Sequence, residues 1–108
     1  MWLCTKLGYY SIVQKRGAKF HVRGRLEKDI WNLVEAAKLG DIEVFVSDDT
    51  DYRYRFIVDA AGLAKVMTAL GDSIDYSNFK DTIHELPDQA DKLPVYSWLW
   101  HKMCNLQK

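Results

Sequence analysis

Two short segments alternate between arginine and apolar side chains, and this alternation constrains the fold more than any other feature of the sequence. Residues 20–26 read Phe-His-Val-Arg-Gly-Arg-Leu, and residues 52–56 read Tyr-Arg-Tyr-Arg-Phe. Successive side chains of a β-strand point to opposite faces of a sheet, so each segment predicts a strand with one apolar face and one arginine face. If the two strands are neighbours, four guanidinium groups share one face. These belong to Arg23, Arg25, Arg53 and Arg55.

Two further strands and two helices give the first part of the chain a repeating pattern. Aromatic and β-branched residues dominate residues 2–15, and side chains alternate again over residues 41–47, so both segments predict strands. Apolar residues recur at helical spacing over residues 27–39 and again after Asp59, which suits the N-cap of the second helix. The predicted order is strand, strand, helix, strand, strand, helix.

This order predicts an α+β fold, in which a four-stranded antiparallel sheet in ββαββα order carries its helices on one face. The arrangement is a permuted ferredoxin-like topology with strand order 1-2-4-3, which makes the two arginine-bearing strands central neighbours. Two C-terminal helices follow. We expect a single domain over residues 1–108, with residues 1–71 as the ββαββα core and residues 72–108 as the C-terminal helices.

The two C-terminal helices are predicted from capping residues and apolar spacing. The first begins near Asp75 or Ser77 and ends near residue 86, and Pro94 suits the first turn of the second. The predicted buried stripe of the last helix consists of Val95, Trp98, Leu99, Met103 and Leu106.

Composition and charge narrow the class of protein. The 15 basic and 15 acidic residues give a formal net charge of zero, which disfavours a dedicated nucleic-acid binder. The N-terminus lacks a secretory-signal pattern, and no apolar run approaches the roughly 18 residues of a membrane helix. Two distant cysteines, Cys4 and Cys104, are too few for a disulfide framework. We therefore expect a cytoplasmic protein with reduced thiols and no membrane contact.

Three interpretations of the predicted arginine face remain open. In the first, it is a solvated ladder of ion pairs with Glu43 and with acidic residues from the hairpin ends. In the second, a partner, a second copy or the C-terminal helices cover it, because Phe45 and Ile57 on the same face would otherwise lie in water. In the third, the guanidinium groups bind phosphate or carboxylate, with His21 and Lys80 nearby. RNA is one such ligand, although the chain has no ribonucleoprotein aromatic motif.

No motif for a metal, a cofactor or a defined reaction is present. The acidic turn at residues 47–51 lacks the central glycine and the distant glutamate of a calcium loop. His101 and Cys104 lie three residues apart but have no zinc-site spacing around them. A cysteine nucleophile would require Cys4 and His21 to meet across the first hairpin. We expect no metal site and no cofactor.

Several segments together resemble a widespread family of small bacterial proteins for which no activity is established. The matching segments are residues 1–5, 8–14, 22–25, 51–55 and 74–80, which include Met-Trp-Leu-Cys-Thr, Asp-Tyr-Arg-Tyr-Arg and Ile-Asp-Tyr-Ser-Asn-Phe-Lys. A last helix with Tyr96 and Trp98 completes the likeness, which covers most of the chain. The resemblance implies a soluble intracellular bacterial protein, and it points to the arginine strands and to the helix start at Asp75 as places for a shared site.

The leading hypothesis is a non-enzymatic interaction module. Its arginine face would mediate self-association as a homodimer or binding to a protein partner. One alternative is a binder of a phosphorylated small ligand or RNA at the same face. Another is an enzyme of unspecified reaction at a pocket between the sheet and the C-terminal helices, involving Tyr10, His21 or Asp75. The candidate binding residues are His21, Arg23, Arg25, Arg53, Arg55 and Lys80.

Overall fold

One antiparallel sheet and four helices confirm the predicted α+β class, in a computed structural model that describes all of residues 1–108. The strands are β1 (Trp2–Cys4), β2 (Tyr9–Lys15), β3 (Lys19–Gly24), β4 (Phe45–Val46) and β5 (Tyr54–Val58), in the sheet order β1-β2-β3-β5-β4. The helices are α1 (Glu27–Ala36), α2 (Ala60–Asp72), α3 (Phe79–Glu85) and α4 (Leu93–Met103). The chain divides into two units, Met1–Ile74 and Asp75–Lys108.

The predicted count of four strands is wrong, because the segment predicted as one N-terminal strand contains a tight turn. β1 and β2 pair with each other. The Thr5 hydroxyl donates to the Gly8 carbonyl over 2.7 Å and accepts from the Gly8 amide over 3.1 Å, which closes the turn between them. A Cβ at Gly8 would collide with the Asp29 side chain, so the turn requires glycine here. The element order becomes βββαββα, and the ferredoxin-like comparison stays a prediction.

The two arginine-bearing segments pair directly with each other in the middle of the sheet. In the antiparallel pair β3–β5, Val22 lies opposite Phe56, and Arg23 lies opposite Arg55. Cross-strand partners point to the same side of a sheet. One face therefore carries Val22 and Phe56, and the other carries the two arginines.

The helix-covered face holds the hydrophobic core of the first unit. Tyr10, Val22 and Phe56 are fully buried on this face, together with Ile30 and Leu33 of α1. The contribution of α2 to the same core consists of Val66, Ala69 and Leu70. Burial of a side chain of Val, Leu or Phe size contributes about 1.5–3 kcal/mol. This face therefore holds most of the apolar packing of the unit.

The ends of the predicted elements agree with the structure at α2 and differ at α1 and β4. The Asp59 carboxylate accepts from the Gly62 amide over 2.9 Å, which confirms Asp59 as the N-cap of α2. The first helix ends at Ala36 instead of residue 39, because Lys38 already takes a left-handed conformation with a φ of 55°. The strand predicted over residues 41–47 is reduced to the two residues of β4.

The second unit consists of α3, α4 and short connecting helical turns. α3 starts later than predicted, at Phe79, because the Asn78 side chain caps it by accepting from the Asp81 amide over 3.0 Å. Pro94 lies in the first turn of α4, as expected. The Phe79 ring contacts the Tyr96 ring, with 5.4 Å between centroids. These contacts join α3 to α4.

The predicted buried stripe of α4 is wrong. Tyr96 is the buried residue of this helix, and Leu99 is half-buried. The side that meets α3 is centred on Tyr96, which lies elsewhere on the helical wheel than Trp98. The exposed members of the predicted stripe are Val95, Trp98, Met103 and Leu106. None of the four helices is both long enough and apolar enough to span a lipid bilayer.

Candidate functional site: the arginine face

A single row of cross-strand partners runs across all five strands, on the side of the sheet opposite the α1–α2 face. Trp2 of β1 lies opposite Ser11 of β2, which lies opposite Arg23 of β3. Arg23 lies opposite Arg55 of β5, which lies opposite Phe45 of β4. We call these five residues the central row. Its middle is polar and cationic, and its two ends are exposed aromatic side chains.

Arg23 is anchored by its neighbour in the central row. Its Nη2 donates to Ser11 Oγ over 2.6 Å, and its Nε donates to the Ser11 carbonyl over 3.4 Å. Ser11 is fully buried. The serine contacts therefore fix the orientation of the guanidinium group and leave its other N–H donors available, since Arg carries donors on all three nitrogens.

Arg55 is anchored on the opposite side by a histidine and a hydroxyl. Its Nη1 lies 3.2 Å from His21 Nδ1, and its Nη2 donates to Thr50 Oγ1 over 3.5 Å. Because an arginine can only donate, His21 Nδ1 is the acceptor in this contact. Partial burial and the nearby Arg23 cation lower the pKa of Arg55.

The charge state of His21 follows from these surroundings. Burial lowers the pKa of His21 first, and the cations of Arg55, Lys15 and Arg23 lower it further. A positive imidazolium is unfavourable beside so many cations. His21 is therefore neutral at pH 7, and it serves to position the Arg55 guanidinium.

Tyr52 lies between two arginines instead of beneath the helices. The guanidinium carbons of Arg23 and Arg25 lie 4.6 Å and 4.4 Å from the centroid of its ring. The prediction that Tyr52 shares the apolar face with Tyr54 is wrong, because β5 begins only at Tyr54 and strict alternation does not extend back to Tyr52. Each cation–π contact of this kind contributes about 0.5–2 kcal/mol. The buried ring thus ties Arg25 to the central row.

A second tyrosine extends this cluster. Burial raises the pKa of Tyr9 to about 12, with a further contribution from the neighbouring Tyr52. Tyr9 alternates with Ser11 along β2, so both point to the same face. Tyr9 therefore stays neutral at physiological pH, and it adds a hydroxyl group to one end of the cationic surface.

The predicted ladder of ion pairs does not form on this face. Glu43 lies outside any strand and pairs with none of the arginines. The ion pair of the β4–β5 turn joins Arg53 Nε to Asp48 Oδ1 over 3.2 Å, and both side chains are largely exposed. Arg23, Arg25 and Arg55 have no carboxylate partner. Three cations on this side of the sheet therefore have no direct ion pair, and the nearest acidic segment is the turn that contains Asp51, whose carbonyl accepts from Arg25 Nε over 3.3 Å.

The structure groups four of the six predicted binding residues. Arg23 and Arg55 are cross-strand partners, His21 contacts Arg55, and Arg25 shares the Tyr52 ring with Arg23. Arg53 instead pairs with Asp48 at the turn. Lys80 belongs to the second unit, where its Nζ lies 4.3 Å from the Trp100 ring centroid.

Sequence reasoning missed Ser11, Thr50 and Tyr52 as parts of the site. Ser11 is odd-numbered in β2 and so shares the face of Tyr9, which is a signal available in the sequence once the start of β2 is known. Thr50 donates to the Tyr52 carbonyl over 2.7 Å and reaches Arg55 from a loop. No strand periodicity applies to a loop residue, so neither Thr50 nor Tyr52 could be placed by alternation.

The other chemical hypotheses find less support in the structure. Tyr10 is fully buried on the helix-covered face, where its hydroxyl donates to the Asp29 carbonyl over 2.6 Å, so it cannot act together with His21. Cys4 is opposite Tyr9 and His21 is opposite Val13, which separates them by four residues along β2, about 13 Å. No group of three or more His, Cys, Asp or Glu side chains is arranged to hold a metal ion.

Comparisons with known proteins add no family to this description. The chain matches no protein-family model, and no significant match was found among curated proteins or solved structures. The resemblance to the bacterial family stays a prediction from the sequence segments. The function is therefore inferred from the geometry of the arginine face.

Proposed function

We propose that the protein is a non-enzymatic binding module that uses the arginine face of its sheet to bind an anionic group of a partner. The observation that supports the proposal most directly is the Arg23–Arg55 pair, in which two cations lie directly opposite each other with no carboxylate partner. Like charges opposite each other destabilise a sheet pair. Their presence is explained if an anion from outside the chain completes the arrangement.

The arrangement favours a partner of opposite charge over a second copy. A homodimer with its two-fold axis through the Arg23–Arg55 pair would place these guanidinium groups against their equivalents. Such an interface would leave several cations desolvated and unpaired, which is strongly unfavourable. Carboxylate and phosphate groups are the natural ligands, because each accepts paired hydrogen bonds from guanidinium.

The finer predictions from the sequence accompany this proposal. The permuted ferredoxin-like relationship, the cytoplasmic location and the membership of the bacterial family rest on sequence patterns. They agree with a small module that acts through a partner, and none of them specifies the ligand.

A polyanion titration tests the proposed function without assuming one ligand. Fluorescent polyglutamate and fluorescent oligouridylate are titrated with the protein at low salt, and anisotropy reports binding. The matched variants are Arg23→Ala/Arg55→Ala, which empties the middle of the central row, and Arg16→Ala/Lys65→Ala, which removes the same charge from exposed positions outside the face.

We expect at least one probe to bind the wild type and the Arg16→Ala/Lys65→Ala control equally, with an affinity that falls as salt rises. Arg23→Ala/Arg55→Ala should lose this binding while keeping its fold by circular dichroism. Equal binding by all three proteins would contradict the proposed function, and so would the absence of binding by both of these probes and by inorganic phosphate.

A further inference from the structure

We propose that the central row binds a phosphate monoester attached to a flat ring, with the phosphate held by Arg23 and Arg55 and the ring packed on Phe45. This inference rests on the proposed function and narrows it to one chemical class, of which a nucleoside monophosphate, with a ribose between its phosphate and its base, is one member. Neither an acidic peptide nor a nucleic-acid backbone has both parts in this form.

The charge of the site favours a dianion. Arg23 and Arg55 face one another across adjacent strands, and Arg25 contacts the same Tyr52 ring as Arg23. A carboxylate carries one charge and two oxygens, whereas a phosphate monoester carries about −1.5 to −2 at pH 7 and has three terminal oxygens. Three terminal oxygens can accept hydrogen bonds from both facing guanidinium groups at once. A carboxylate has only two oxygens and can accept fewer of these bonds.

The two arginines are oriented before a ligand arrives. Ser11 holds Arg23 from the β2 side, while His21 and Thr50 hold Arg55. Each guanidinium engages two of its N–H groups in these contacts and keeps the others for a ligand. Because the side chains are already fixed, binding costs less side-chain entropy than it would for free surface arginines.

The neighbouring aromatic side chain supplies a surface for the ring. Phe45 lies directly opposite Arg55 on the edge strand β4 and is 41% exposed. Adjacent strands are about 4.8 Å apart, so a ring joined closely to a phosphate at Arg55 reaches Phe45. Trp2, at the other end of the row, lies two strands from Arg23, about 10 Å away, and Ser11 intervenes.

The length of the ligand is limited by the charge of the whole chain. The formal net charge is zero, whereas proteins that follow a nucleic-acid backbone usually carry a basic stripe. The uncompensated cations are confined to the middle of one sheet face. A single terminal phosphate therefore fits the site better than an extended chain of phosphodiesters.

Isothermal titration calorimetry with four probes tests this inference. The probes are AMP, inorganic phosphate, adenosine and an oligouridylate without terminal phosphates. We expect AMP to bind tightest, phosphate to bind about tenfold more weakly, and adenosine and the oligonucleotide to give no saturable binding. Arg23→Ala/Arg55→Ala should weaken AMP by about a hundredfold, and Arg16→Ala/Lys65→Ala should match the wild type.

Two single variants locate the ring. Phe45→Ala should weaken AMP about tenfold and leave inorganic phosphate unchanged, which separates loss of stacking from loss of fold. Trp2→Ala should leave both ligands unchanged. A larger effect of Trp2→Ala than of Phe45→Ala would overturn the placement of the ring.

The pH dependence of AMP binding identifies the dianion. A phosphate monoester has its second pKa near 6, so the dianion is about one-tenth populated one pH unit lower. Affinity should therefore rise about tenfold between pH 5 and pH 7. The rise in AMP affinity should persist in His21→Gln, which removes the histidine that could titrate in the same pH range. If the affinity of this variant does not rise with pH, recognition of a dianion is overturned.

The outcomes separate this inference from the proposed function. If polyglutamate binds in an Arg23- and Arg55-dependent way and AMP does not bind, the phosphate monoester assignment fails and the binding module stands. If the unphosphorylated oligonucleotide binds more tightly than AMP with the same dependence, a nucleic-acid backbone is the ligand and the inference is overturned. If no probe binds, both fail.

Discussion

The two faces of the sheet use alternate residues of the same strands for opposite purposes. On the helix-covered face, Val22 and Phe56 are fully buried and pack against α1 and α2. On the arginine face, Arg23 and Arg55 occupy the equivalent pair, one residue further along β3 and one residue earlier along β5, and have no carboxylate partner. The first pair explains why the chain folds. A neutral pair could contribute the same folding stability as Arg23 and Arg55. We therefore assign the arginine pair to binding.

The largest expected effect comes from the helix-covered face. Phe56→Ala removes a fully buried ring and leaves a cavity, so we expect the free energy of unfolding to fall by about 3–5 kcal/mol in a urea titration. Arg55→Ala, at the neighbouring position of β5, serves as the comparison. It should change the free energy of unfolding by less than about 1 kcal/mol. Similar losses from both variants would show that the two faces do not differ in their contribution to folding.

Tyr52 should give an intermediate effect, because it is buried on the arginine side. Tyr52→Leu keeps an apolar side chain but removes the ring between Arg23 and Arg25, and each lost cation–π contact is worth about 0.5–2 kcal/mol. We expect a loss of about 1–3 kcal/mol in unfolding free energy. Tyr52→Phe keeps the ring and is the control, and an equal loss in this variant would assign the effect to the hydroxyl group.

Removal of Arg55 should also be visible in the titration of His21. Arg55 is the largest of the nearby charges that lower the pKa of His21, after burial. We therefore expect the pKa of His21 to rise in Arg55→Ala, measured from the imidazole resonances by NMR. Arg16→Ala is the control outside the face. A His21 pKa that does not respond to Arg55→Ala would contradict the contact between the two side chains.

The same histidine makes stability depend on pH. Because the pKa of His21 in the folded chain lies below its ordinary value of 6.5, the unfolded chain binds the proton first as pH falls. Stability due to this group is thus fully present above about pH 6.5 and declines as pH falls from there towards the folded-state pKa. His21→Gln should lack this part of the decline when unfolding midpoints are compared between pH 7 and pH 5.

The smallest expected effect belongs to the exposed ion pair of the β4–β5 turn. Arg53 and Asp48 are both largely exposed, and ion pairs of this kind contribute about 0–1 kcal/mol. Asp48→Asn should therefore leave the unfolding free energy within about 0.5 kcal/mol of the wild type at physiological salt. A loss above about 2 kcal/mol would mean that the ion pair stabilises the fold more than its exposure indicates.

The sequence allowed the central strands and the arginine face to be predicted, because two-residue alternation is a local signal. Arg23 and Arg55 were placed on one face from that signal alone, and Asp59 was recognised as a cap from its position before a helical pattern. The features that could not be predicted depend on contacts between residues that are distant in the sequence. The β1–β2 turn depends on the fit of Gly8 against Asp29, and the position of Tyr52 depends on where β5 begins.

The errors at α4 and at Glu43 have a similar origin. Apolar spacing in α4 is compatible with more than one buried face, and the contact between Phe79 and Tyr96 selects a face that the spacing does not favour. Glu43 reaches the arginine face only if residues 41–47 form a full strand. Because β4 has only two residues, Glu43 lies outside the sheet ladder and forms no ion pair with the arginine face.

The most direct test of the account is the unfolding midpoint in increasing inorganic phosphate at constant ionic strength, for the wild type, Arg23→Ala/Arg55→Ala and Arg16→Ala/Lys65→Ala. A ligand that binds only the folded chain raises the midpoint as its concentration exceeds the dissociation constant. We predict that the midpoint rises with phosphate in the wild type and in the Arg16→Ala/Lys65→Ala control, and stays flat when Arg23 and Arg55 are removed. An equal rise in all three proteins, or no rise in the wild type, would contradict the claim that the uncompensated arginines form an anion-binding site.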